Sequence, residues 1–244
     1  MTIAKFDGVT VANVSKVKGV LRNTVNKING VTNPRGVTIG NNSASSYTTT
    51  GTTITFSHTC VAGSNVLIVS CLIRGTTVQP TISMTYNSVA MTQITSANQT
   101  LGSLRRLVTF RITSADVSFD TSAHDVVVTA SETITAGQAG GQDFGGVDIA
   151  GTPFGTTVTA SGSSTAVTAN VATAAADVAY AAYGADNNTN GAPGNGQTET
   201  YDVAGLLQGS AAGYLAAPAN PQAMAWTITS SAWVEQGFSI KPIP

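Results

Sequence analysis

Charge is what this chain has least of: Asp, Glu, Lys and Arg together make up 9 % of its 244 residues. With Thr, Val, Ala, Ser and Gly dominating instead, almost no segment suits an extended helix, and pleated strands with small-residue turns are favoured. Histidine occurs twice, as His58 and His124, so a general base or zinc site would have to use one of them. Cysteine also occurs twice. A turn near Gly63 places Cys60 opposite Asn65 or Val66 and away from Cys71, which reads as two buried small hydrophobes rather than a disulfide. No apolar run approaches the ~18 residues of a membrane-spanning helix. Met1 to Gly8 contains Lys5 and Asp7 with no apolar stretch after it, so no signal peptide is expected.

What the chain does have is a tandem repeat. IAKFDGV at 3–9, VSKVKGV at 14–20 and VNKINGV at 25–31 recur at a constant spacing of eleven residues. A repeat this short cannot bury its own apolar face and needs a body to lie against. The spacing of Val14, Val17, Leu21, Val25 and Ile28 also fits an amphipathic helix. Against the helix stand a Gly in each unit, costing about 1 kcal/mol in a helix interior, and the dominance of Val and Ile. Asp7-Gly8 and Asn29-Gly30 are hairpin signals, and Lys18-Gly19 falls at the same place. Short strands and turns are therefore expected. Residues 1–36 carry +5, leaving −6 for the rest of a chain whose net charge is −1. The basic residues are evenly spaced with one aromatic among them, Phe6, which does not suit nucleic acid.

Asn33-Pro34-Arg35-Gly36 closes this arm, and residues 37–51, rich in Ser and Thr, read as a linker. Residues 52–244 are long enough for one substantial core. Alternation and bounded apolar runs predict eleven strands there, at 52–59, 66–73, 81–86, 89–94, 105–112, 125–133, 156–161, 177–183, 197–203, 223–229 and 235–241. The sequence thus predicts an all-β protein: a single jelly-roll-like antiparallel β-sandwich of two sheets, preceded by an extended N-terminal arm. Tyr86-Asn87-Ser88-Val89 reads as a hairpin. The apolar run Asn65 to Leu72 lacks clean alternation and reads as a central strand covered on both faces.

TFSHTCVAGSNVLIVSCLIR, MTYNSVAMTQI, GGVDIAGTPFG and SAWVEQGFSIKP resemble a jelly-roll domain that recurs in bacteriophage structural proteins and bacterial extracellular proteins. The repeats resemble KVNGV-like units found before a β-domain at the N-termini of phage particle proteins. The resemblance implies a virion component assembled in a bacterial cytoplasm, and it implies no catalytic residues.

Several side chains are candidates for chemistry. Asp186, Asn188 and Asn190, with Gly191, match the first half of a calcium loop, but position 12 is Gln197 and the flanks are not helical; a turn of Asn, Gly and Pro explains the segment as well. His58 and Cys60 share one face of a strand without completing a site. His124 lies near Asp116, Asp120 and Asp125, and Asp143 and Asp148 flank a turn, without a cleft to unite them as a triad or a carboxylate pair. Among the few aromatics, Tyr180 and Tyr183 fall on opposite strand faces, so at most one is expected to be buried, and Tyr214, in the loop 209–221, is the best candidate for glycan contact.

The reading that follows is a non-enzymatic virion structural protein, of head decoration, fibre or tail type, without a cofactor. Its arm would dock on a neighbouring virion protein through Ile3, Phe6, Val14, Val17, Val25 and Ile28, with Lys5, Lys16 and Lys27 steering toward an acidic surface. A homo-oligomer is expected by analogy, with no nucleic-acid or membrane partner. The alternative is a carbohydrate-binding module that recognises a host-surface glycan.

Overall fold

The computed structural model describes residues 36–94, 99–102, 104–188 and 190–244, and within the first 35 residues the backbone of four two-residue strands. Every regular element among the described residues is a strand, and every strand pair is antiparallel. In the arm, β1 (Lys16–Val17) pairs with β2 (Val20–Leu21), and β3 (Lys27–Ile28) with β4 (Val31–Thr32). The two pairs recur at the eleven-residue spacing of the repeat.

The body is built as stacked layers. Its outer sheet runs β6 (Thr53–Thr59), β13 (Ala123–Ala130), β8 (Ile82–Tyr86), β9 (Val89–Ala90). The middle sheet runs β10 (Thr92–Gln93), β12 (Arg105–Thr113), β7 (Ser64–Arg74), β14 (Ala136–Gly145), β5 (Thr38–Ala44), with β11 (Gln99–Leu101) also on β12. Successive long strands from β5 to β8, and then β12 to β14, alternate between these two sheets, so neither is made of simple hairpins. The hairpins are β11/β12, where Leu101 pairs with Arg105, and β8/β9, where Asn87 and Ser88 both take positive φ, as a two-residue hairpin of the favoured twist requires.

The third sheet runs β15 (Val158–Val171), β20 (Gln222–Ile240), β16 (Val178–Ala185), β19 (Gly209–Ala216), β18 (Thr198–Ala204), and β17 (Ala192–Pro193) pairs with the first half of β20. The β15/β20 ribbon does not stay in one plane. Val158 pairs with Gly237, yet a Cβ on Gly237 would lie 2.7 Å from Val171, thirteen positions along β15. The ribbon therefore doubles back on its own sheet, and the register slip between Ser164 and Ala166 marks the bend.

Three apolar layers separate these four tiers. Leu67, Val69, Cys71 and Ile73 of β7 face the outer sheet, packing with Ile54, Met84, Val126 and Val128. Val66, Ile68 and Leu72 of the same strand face the third sheet, with Phe144, Tyr180 and Phe238. Ala179, Ala181 and Tyr183 of β16 are covered by Val171, Met224 and Trp226 of the folded ribbon.

The structure amends several sequence expectations. There are three stacked sheets and a folded ribbon where two sheets were expected. Residues 37–51, expected as a linker, supply the edge strand β5, whose polar side chains suit an edge and whose backbone pairs with β14. The strands expected at 223–229 and 235–241 are one continuous β20. Tyr180 and Tyr183 do fall on opposite faces, but both are fully buried, because β16 has a layer on each side.

Candidate functional site

A buried polar cluster lies between the middle and outer sheets, where β5, β6 and β14 meet. On the β14 side, Gln142 pairs with Asn42 and Phe144 with Ile39, so Gly40 and Asn41 together oppose Asp143. Such a bulge re-aims a side chain. Here it turns Asp143 inward across β5, and Gly40 makes the room, since a Cβ there would overlap the carboxylate.

Asp143 meets His58 of β6, whose Nε2 lies 3.2 Å from Asp143 Oδ1 while its Nδ1 lies 2.7 Å from Ser43 Oγ on β5. The second carboxylate oxygen accepts the Val61 amide at 3.1 Å and the Ser64 hydroxyl. Cys60 completes the cluster, with its Sγ 3.5 Å from the Tyr86 hydroxyl. Ser43 and Val61 are half-buried, and His58, Cys60, Ser64, Tyr86 and Asp143 are buried.

Burial by itself pushes the Asp143 carboxyl up, but the hydrogen bonds from His58, Ser64 and Val61 together outweigh it and hold the group below the ordinary carboxylate range. An ionised Asp143 requires His58 to carry its proton on Nε2, which leaves Nδ1 to accept the Ser43 hydroxyl. Burial pushes the Cys60 thiol up to about 11, so it is an unreactive thiol as it stands.

The order hydroxyl, imidazole, carboxylate is that of a nucleophile relay. Ser43, however, lies within the ladder of β5 against Gly141, not on the sharp turn that presents a nucleophile to substrate. The arrangement as it stands clamps two sheets together. His58, Cys60 and Asp143 also offer three metal-ligand atoms within 4.8 Å of one another.

A second polar group lies on the third sheet under the 186–196 loop. Burial and the nearby Glu199 push the Asp202 carboxyl up to about 7, against a hydrogen bond from the Gly191 backbone. Burial also pushes Glu199 up, and pushes up Tyr183 beside both acids. Glu235 on β20 is fully buried with neither carboxylate oxygen hydrogen-bonded, and burial holds its carboxyl well above the ordinary range.

The residues picked out from sequence are not gathered into one place. Ile3, Lys5, Phe6, Val14 and Val25 lie outside the described residues, while Lys16, Val17, Lys27 and Ile28 are described through the backbone pairing of β1 and β3. Tyr214 lies on strand β19, not in a loop, half-buried and edge-on to Phe144 with ring centres 6.3 Å apart. Asp186 is engaged by Arg105, whose Nη2 lies 2.6 Å from Oδ1, and Asn188 and Asn190 are exposed beside it. Asp148 accepts the Gly151 amide in its own turn and is not paired with Asp143. His124 bonds Asp120 at 2.9 Å and stands edge-on to Tyr86.

The His58–Asp143 contact escaped sequence reasoning because the two are 85 positions apart and on different sheets. The one signal was His58 beside Cys60 on a shared strand face. No family model, no curated protein and no solved structure matches this chain.

Proposed function

We propose that this chain is a non-enzymatic structural protein of a bacteriophage particle, anchored to a neighbouring virion protein by its N-terminal repeats, with the layered β body, whose outer and middle sheets form a jelly-roll-like sandwich, projecting from the anchor. The observation that carries the reading is the recurrence of the β1/β2 and β3/β4 pairs at the repeat spacing. Each pair is too short to stand alone in water, so a row of them suits a partner surface that supplies the missing layer. The +5 charge of the arm adds attraction toward an acidic face, acting on encounter rate more than on affinity. Repetition offers several weak contacts in series, or one contact per symmetry-related neighbour.

The body fits a passive role. The buried polar cluster ties sheets together, and the large hydrophobic side chains that are exposed among the described residues are Val78, Leu206 and Leu207, none of them aromatic. Trp226 and Trp233 are buried, which weakens the glycan-binding alternative, since sugar platforms use exposed rings.

The test is deletion of residues 1–36 with the body left intact. Particles assembled with the shortened chain should lack it, while the body keeps its melting temperature. Normal incorporation of the shortened chain would end this reading, and binding of residues 37–244 to host polysaccharide would put the glycan reading in its place.

A further inference from the structure

We propose that His58, Cys60 and Asp143 form a binding site for one divalent transition metal ion, zinc foremost. The inference stands independently of any role in a particle.

The donor set is a mixed nitrogen, sulfur and oxygen set of the kind zinc takes, and three protein ligands leave a fourth position for water. Around a tetrahedral zinc the three donor atoms lie about 3.3 to 3.6 Å apart, from bond lengths of about 2.0 Å to nitrogen and oxygen and 2.3 Å to sulfur. His58 Nε2 and Asp143 Oδ1 are already 3.2 Å apart, and all three atoms lie within 4.8 Å. The adjustment required is therefore on the order of an ångström at Cys60.

The stronger observation is how each ligand is held from behind. A metal-binding histidine hands its other ring nitrogen to a hydrogen-bonding partner, and a ligating carboxylate is itself hydrogen-bonded. His58 turns Nδ1 to Ser43 Oγ at 2.7 Å, and Asp143 gives its second oxygen to Val61 N at 3.1 Å and to Ser64. Cys60 Sγ has the Tyr86 hydroxyl at 3.5 Å. His58 and Asp143 thus each offer one donor atom to the site while their other polar atom is fixed by hydrogen bonds elsewhere. Gly40 and the bulge keep the carboxylate in that orientation.

Charge and protons balance. On binding, Cys60 releases its thiol proton to solvent and the His58 proton moves from Nε2 to Nδ1, where Ser43 Oγ accepts it. Thiolate and carboxylate then neutralise the two positive charges of the ion. A cleft of about 310 Å³ lined by Ser64, Asp116 and Phe119 lies next to the cluster, sharing with it Ser64, which donates to Asp143.

Cobalt(II) chloride titrated into the full chain tests the proposal. Expected is a near-ultraviolet thiolate-to-cobalt band that saturates at one equivalent, is bleached by zinc, is lost in Cys60→Ser and persists in Cys71→Ser. Zinc should also raise the melting midpoint of the wild type and of Cys71→Ser, but not of Cys60→Ser. Native mass spectrometry of the unmodified chain with zinc should show one bound ion, a readout that holds even if a variant fails to fold. A folded wild-type chain with no charge-transfer band and no bound zinc, or a band that survives Cys60→Ser, overturns the site.

Discussion

Strand β7, SNVLIVSCLIR, and strand β16, VAYAAYGA, each lie at the centre of a five-strand path, and both faces of each are covered. They are built from opposite materials. The first fills the layers on either side with its own Leu, Ile and Val, whereas the second gives one Tyr to each layer, Tyr180 and Tyr183, and between them is mostly Ala and Gly that accept side chains from its neighbours. Leu72 of β7 sits over Gly184 of β16, where an added Cβ would lie 2.7 Å from it. Likewise Tyr201 of β18 lies over Gly140 of β14. Glycine inside a strand often marks such a close approach. Burial therefore does not require large side chains in a strand, only large side chains from somewhere.

The contrast predicts opposite responses to substitution. Removing Asp143, as in Asp143→Ala, should have the largest effect: about 3 to 5 kcal/mol of stability lost in denaturant melts, because His58 and Ser64 are left buried without their partner. Leu72→Ala should cost about 2 to 5 kcal/mol through the cavity it leaves. Gly184→Ala should cost about 1 to 3 kcal/mol through overpacking against Leu72. Combined, the last two should cost clearly less than their sum, since each relieves the other; strict additivity would show that the two strands do not share that space.

Glu235→Met should act in the other direction, adding about 1 to 3 kcal/mol at neutral pH by removing two buried oxygens that have no partner. The smallest effect is expected at the exposed turn, where Leu206→Ser should stay within about 0.5 kcal/mol.

The pH response sharpens the same comparison. Asp143 is held low in the fold, so its contribution is present above the ordinary carboxylate range and is lost as pH falls through its folded value. Asp202, raised to about 7, and Glu235, also raised, do the reverse: the stability linked to their protons is complete below the unfolded carboxylate range and is lost as pH rises. Melts between about pH 4 and 7 should therefore show stability falling with pH, and Asp202→Asn together with Glu235→Met should flatten that slope. An unchanged slope in the double variant would remove these two acids as its source.

Legibility followed the same divide. The strands β6, β7, β8, β12 and β13 stand out in sequence because aliphatic alternation or a continuous apolar run marks them. β14 (AGQAGGQDFG) and β19 (GSAAGYLA) carry no such period and were not anticipated, although β14 is buried throughout. Tyr214 read as a loop residue because Gly209 to Pro221 has turn composition, while pairing with β16 makes it strand. At the polar cluster, His58 and Cys60 were visible as neighbours on one strand face. Asp143 was visible only as one acid among eleven in the body, because a bulge that depends on Gly40 has no local signature.

The position of β20 between β15 and β16 has a consequence for how the molecule is made. In a chain synthesised from its N-terminus, β15, β16 and β19 emerge before the strand that joins β15 to β16, which spans Gln222–Ile240. The outer and middle sheets can close as soon as residue 145 is available, but the third sheet must wait with open edges until the ribbon arrives, an order that slows folding through its long loop closures. The N-terminal repeats and the first two sheets thus become available before the rest, and the interval between the two events is when this protein is most exposed to pairing with the wrong partner.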